Sequence, residues 1–112
     1  MWLVLFALLS CAGPEQALQR PNAVVLAPDG RVVVSDFHNQ RIVEFDEAGR
    51  FSRAYGRHGI GRGDLYQVWA IAWGDDGKLT VANQRAREVG SSDEIWEVKE
   101  FDGGREVGVH SL

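Results

Sequence analysis

An internal repeat limits this chain more than any other feature: an offset of 47 residues carries Pro28-Asp29-Gly30 onto Asp75-Asp76-Gly77. The flanks agree at the same offset. Ala23-Val24-Val25-Leu26 falls over Ala70-Ile71-Ala72-Trp73, and Arg31 to Asp36 falls over Lys78 to Asn83. After Asn83 the second copy carries an insertion and then re-aligns, with Lys99-Glu100-Phe101-Asp102 over Val43-Glu44-Phe45-Asp46. A period of roughly 40 to 50 residues is that of propeller blades and related arrays, in which each repeat is one supersecondary unit.

Each copy holds four short strand-like runs separated by turn chemistry, the content of one four-stranded blade. The expected strands lie near 23–27, 31–36, 41–46 and 50–55, then near 68–73, 78–83, 94–101 and 105–110. Asp29-Gly30 and Asp76-Gly77 read as type I′ hairpin turns, and Glu47-Ala48-Gly49 and Gly103-Gly104 close the later hairpins. No run has a sustained helical period, so very little helix is expected. Val32-Val33-Val34 is continuously apolar, and Trp69, Ile71 and Trp73 alternate with Ala70 and Ala72, so both faces of the inner strands are nonpolar and suited to face-to-face stacking. Arg50 to Tyr55 is more polar, as an outer rim strand should be.

Once these residues are laid out, Asp36-Phe37-His38-Asn39-Gln40-Arg41-Ile42-Val43-Glu44-Phe45 resembles the Asp-x-x-Asn-x-Arg-Ile-x-x-Phe run of NHL repeats. The resemblance continues through Gly49-Arg50-Phe51 and Tyr55-Gly56 into Gly59, Gly61, Gly63 and Asp64-Leu65, which look like the link to a following blade. It covers roughly 21–112, and the second copy departs from it, with Asn83 for Asp, no Asn-x-Arg-Ile, and Val68 in place of the proline at 21. The resemblance implies a six-bladed β-propeller. The fold class expected here is all-β, two four-stranded antiparallel blades that are open rather than closed into a ring: blade 1 with its link at 21–66 and a degenerate blade 2 at 67–112.

Ahead of the repeats, Trp2 to Leu9 is an unbroken apolar run followed by small residues, the form of a signal-peptide core. Leu8-Leu9-Ser10-Cys11 resembles the lipobox of bacterial lipoproteins, which implies lipidation of Cys11. An ordinary cleaved signal and the apolar start of a truncated product stay open beside it. Cys11 is the only cysteine, so no intramolecular disulfide can form. Residues 1–13 are thus expected to be signal and lipobox, and 14–20 a tether. The implied location is the bacterial outer membrane, facing the periplasm or the surface, and otherwise the periplasm or the exterior.

The formal charge of −4 argues against nucleic-acid binding, which usually needs a basic surface. Polar side chains concentrate in 37–40, 56–66 and the insertion 84–93, which a propeller topology places at one end of the blades, and loops on a rigid scaffold are where binding concentrates. The candidate ligand-binding residues are His38, Arg57, His58, Arg62, Arg85 and Arg87. Arg50, Arg53, Arg57 and Arg62 span 13 residues without an acid, a run able to contact phosphate or an acidic polysaccharide through guanidinium forks. The commoner outcome for such a run is a solvated rim. Gly56 to Gly63 lacks the Lys-Ser/Thr and helix of a phosphate loop. No ligand spacing joins His38, His58 and His110, so no metal, cofactor or catalytic residue is assigned.

The leading functional expectation is a non-enzymatic binding or scaffold module of the cell envelope, a fragment of an NHL-type propeller. Its partners would be a protein, a peptide or an anionic polysaccharide, with the membrane engaged only through a lipid anchor. Missing blades or self-association would cover its open faces. The alternative is a fragment of a lactonase-like or peptide-amidating-lyase-like propeller enzyme whose catalytic residues lie mostly outside this chain.

Overall fold

The computed structural model describes residues 17–112, so Cys11 and the lipobox lie outside the described residues. Eight strands follow in order: β1 Pro21–Leu26, β2 Val32–Asp36, β3 Arg41–Phe45, β4 Phe51–Tyr55, β5 Gln67–Trp73, β6 Leu79–Ala86, β7 Glu94–Asp102 and β8 Arg105–Ser111. They form two antiparallel sheets, β1-β2-β3-β4 and β5-β6-β7-β8, which do not close on each other. This is the two-blade, all-β arrangement expected from the repeat. The only helical element among the described residues is a single 3-10 turn, Phe37–Asn39.

The blades stack through a shared apolar core. Val33 and Ile42 of blade 1 meet Val68, Ile71, Leu79, Val81 and Phe101 of blade 2, with Leu65 of the link between them. Burying an aliphatic or phenyl side chain of this kind contributes about 1.5–3 kcal/mol, which explains how two short sheets hold together. Val32, Val34, Val43 and Phe45 form a second buried cluster on the opposite face of blade 1, joined by Leu18 and Phe51. The valine triplet is therefore buried on both faces, as its unbroken apolarity requires. The outward face of blade 2, with Ala70, Ala72 and His110 exposed, is the repeat counterpart of the blade 1 face that packs Ala23, Val25 and Tyr55 against blade 2.

Three local expectations are corrected. The Asp-Gly turns are not type I′: Gly30 and Gly77 have φ of 93° and 81°, but neither Asp29 nor Asp76 has positive φ. Instead Gly30 N–H donates to the Ala27 carbonyl and Ala27 N–H to the Arg31 carbonyl, a longer loop ending on a left-handed glycine. Gly77 N–H donates to the Gly74 carbonyl and Gly74 N–H to the Lys78 carbonyl in the second copy, where Asp75 stands for Pro28, so the loop form does not depend on the proline. Only Gly103-Gly104, with φ of 61° and 86°, supplies two consecutive positive values.

The second correction concerns the insertion. β6 and β7 continue to pair through Gln84↔Trp96, Arg85↔Ile95 and Ala86↔Glu94, so the loop shrinks to 87–93 and Arg85 sits in a strand. The third concerns β5, whose register shifts between Val68 and Ala70. That bulge breaks the alternation read from the sequence: Val68 and Ile71 enter the core, whereas Trp69 is turned out and remains 47% exposed.

Candidate functional site

At the end where β1 begins and β2 finishes, Asp36 is fully buried and accepts three hydrogen bonds. The donors are the Gln19 amide at 2.7 Å, Asn39 Nδ2 at 2.9 Å and Arg41 Nε at 2.8 Å. The 3-10 turn is what folds Asn39 back over Asp36, and Gln40 closes it in a left-handed conformation with φ of 55°. Asn39 Nδ2 and Arg41 Nη2 also donate to the Ala17 carbonyl, and Gln19 accepts from the His38 amide. Asp36, Asn39 and Arg41 therefore staple 17–19, the end of the expected tether, against the blade.

Blade 2 keeps half of this device and rebuilds the rest. Asn83, fully buried at Asp36's repeat position, accepts from the Tyr66 amide at 2.9 Å, as Asp36 does from Gln19 one repeat earlier. Opposite it in the β6–β7 register stands Glu97 where blade 1 has Arg41, and Asn83 Nδ2 donates to its carboxylate at 2.9 Å. The exchanged charge needs a new cation, supplied by Arg85 Nε at 3.0 Å. Arg85 also donates to the carbonyls of Ala86 and Arg87, so this candidate is committed within the hairpin.

Beside Glu97 lies Lys99, only 3% exposed, in the place of apolar Val43. Its ammonium reaches Glu106 Oε1 at 2.7 Å and donates to the Gly61 and Asp64 carbonyls at 2.9 and 2.8 Å. Glu106 in turn accepts from the Gly63 amide at 2.8 Å, and its carbonyl accepts from Arg62 at 3.2 Å. Lys99 and Glu106 thus clamp the glycine-rich link onto blade 2. Its tightness explains Gly59, where an added Cβ would run into the Asp64 carboxylate.

A fourth buried acid sits between the blades. Glu44 is 1% exposed and accepts from Arg31 Nη1 at 2.9 Å, Arg53 Nε at 3.0 Å and the Tyr55 hydroxyl at 2.8 Å. Burial, reinforced by the Glu44 charge and hydrogen bond, pushes the Tyr55 phenol far above its ordinary pKa. Arg31 adds a contact over the Trp73 ring at 4.9 Å.

The arginine run is therefore no single patch. Arg53 turns inward onto Glu44, and Arg50 lies at the far end of β4 from Arg57. Arg57 and Arg62 do come together, lining a depression with Gly56, Gly63 and Asp64. Arg57 is 87% exposed while its Nε meets Asp64 at 3.3 Å. His58 stacks its ring on Tyr66 with centroids 4.6 Å apart. His38 projects from the 3-10 turn and Arg87 from the hairpin loop, both exposed and separate from the Arg57–Arg62 depression.

Sequence reasoning missed Glu44, Glu97, Lys99 and Glu106. The signal for Lys99 was present, since a lysine replaces a valine in an otherwise apolar repeat position. Against this geometry, the family model for the NHL repeat matches residues 18–45, the stretch from the stapled Leu18-Gln19 segment through β3. No curated protein matches the chain.

Proposed function

We propose that this chain is a piece of a six-bladed NHL-type propeller that serves as a non-enzymatic binding or scaffold module of the cell envelope, anchored through acylated Cys11. The observation that carries the binding reading is the asymmetry between the two ends of the blades. One end is closed by tight glycine turns, whereas the other carries the 56–66 link with Arg57, His58 and Arg62 displayed on a rigid frame. Further blades, or another copy of the chain, would cover the outward face of blade 2, because its repeat counterpart in blade 1 is covered by a blade. Export rests on the apolar run and the Leu-Leu-Ser-Cys segment.

The anchor is tested by intact-mass analysis of membrane-expressed protein, which should show loss of residues 1–10 and added acyl mass on Cys11. Unmodified protein beginning at Met1 from a lipoprotein-processing host would remove the anchor from the proposal. The binding surface is tested with dextran sulfate as an anionic polysaccharide probe. Arg57→Ala/Arg62→Ala should weaken its binding about tenfold and flatten the salt dependence while leaving the β-rich circular dichroism intact. Unchanged affinity would exclude the Arg57–Arg62 depression as the anionic surface.

A further inference from the structure

We propose that the end of the blade pair where β1 and β5 begin holds an acidic sugar residue, with the Trp69 indole as its stacking face and Arg20 as the partner of its carboxylate. This site is separate from the Arg57–Arg62 depression and needs neither that surface nor the lipid anchor.

A cleft of about 330 Å³ opens there, lined by Arg20, Pro21, Asn22, Phe37 and Trp69, within the range of small-ligand sites. Both inner strands carry a bulge at this level, Pro21/Ala23 in β1 and Val68/Ala70 in β5. Bulges re-aim side chains, and the two bulged residues are repeat counterparts with different tasks. Asn22 is spent on structure: Nδ2 donates to the Val68 carbonyl at 2.9 Å across the blades, and Oδ1 accepts from the Ser35 hydroxyl. Trp69 is turned out, nearly half exposed, and held in place. Its Nε1–H donates to Gln84 Oε1 at 2.9 Å, and the Gln84 amide donates to Glu94. Phe37 contacts it with centroids 5.1 Å apart and planes tilted by 55°.

With its N–H already satisfied, the indole offers a ligand only its π face. The 55° tilt leaves no parallel slot for a flat base, whereas the polarised C–H groups on one side of a pyranose need a single aromatic face. Arg20 supplies the polar half. Arg31, Arg41, Arg53, Arg57 and Arg85 each hold a carboxylate, whereas Arg20, like Arg50, Arg62, Arg87 and Arg105, has no acidic partner among the described residues, and of these it is Arg20 that lines the cleft. Its backbone sits at φ 55°, disfavoured for a residue with a Cβ. The two bonds of its neighbour Gln19, to Asp36 and from His38, hold the segment there. Strained backbone beside a half-exposed aromatic and a guanidinium without an acidic partner among the described residues is the kind of juxtaposition that marks ligand clamps. A carboxylate on the sugar ring matches the guanidinium fork.

The test is titration of the full chain with tri-galacturonate and with its methyl ester, followed by NMR at the Trp69 indole N–H and, in every variant including those at Trp69, at the backbone amides of residues 20, 22 and 37. Saturable shifts are expected, with binding about tenfold weaker for Arg20→Ala and for the ester. Trp69→Ala should abolish binding, Trp69→Phe should retain part of it with the fold preserved, and Arg57→Ala/Arg62→Ala should leave it unchanged. Absence of any shift at about 10 mM ligand, far weaker than a functional sugar site, would overturn the proposal. So would binding indifferent to Arg20→Ala and Trp69→Ala, or benzoate binding as tightly as tri-galacturonate. A loss confined to the Arg57/Arg62 variant would overturn this site and leave the loop-surface reading standing.

Discussion

Asp36→Ala should lower the unfolding free energy by about 3–5 kcal/mol, because it removes the acidic partner of a buried ion pair. Three donors lose this acceptor at once: the Gln19 amide, Asn39 Nδ2 and the Arg41 guanidinium, which is itself only 14% exposed, while Asn39 and Arg41 keep the Ala17 carbonyl. At about 4–8 °C per kcal/mol for a domain of this size, the thermal midpoint should fall by more than about 12 °C. Asp36→Asn should cost less, since blade 2 shows that an asparagine there still accepts the amide ahead of the inner strand. Adding Arg41→Glu to Asp36→Asn would not restore stability, although it copies the Asn83–Glu97 pair. The copied glutamate would have Val43 where Glu97 has Lys99, and no cation in the place of Arg85. A denaturant midpoint for Asp36→Ala within about 0.5 kcal/mol of the parent, the usual scatter of surface substitutions, would show that the network is dispensable.

The blade architecture was legible because it rests on local, repeated chemistry. Strand positions followed from apolar runs between Gly and Asp clusters, and β2, β3 and β7 begin or end within a residue or so of their expected limits. Where the reading failed, a neighbour distant in sequence had decided the outcome. The extension of β6 to Ala86 was set by cross-strand partners on β7 that periodicity does not reveal. The bulge that expels Trp69 shifts the pleat by one residue, and a single residue is enough to move a side chain from core to solvent. The candidate site was less legible still. Four arginines within 13 residues looked like a patch only along the chain, since Arg53 found Glu44 and Arg57 found Asp64 once folded. Asp36, Asn39 and Arg41 stand in the repeat motif itself, and their bonds show what that motif holds together.

Lys99→Met should destabilise the chain by about 3–5 kcal/mol and loosen the 57–64 link more than the sheets. The ammonium is enclosed by Glu106 Oε1 at 2.7 Å, the Gly61 and Asp64 carbonyls, and Glu97 Oε2 at 3.8 Å. Methionine fills similar space but leaves the Asp64 carbonyl without its donor, the Gly61 carbonyl with only the Asp64 amide, and Glu106 with the Gly63 amide as its remaining side-chain partner. Glu97 keeps Arg85, so the Asn83 pair should survive and the inner strands should hold. Amide hydrogen exchange separates these effects: Gly63 should lose protection first, whereas Val81 in the β6 core should track only the global loss. Pairing Lys99→Met with Glu106→Gln should recover part of the deficit, because the double variant carries no stranded buried charge. Strictly additive losses in that cycle would show that Lys99 acts through its carbonyl bonds alone, and full stability of Lys99→Met would mean that the link is held by Leu65 and Gly63 without it.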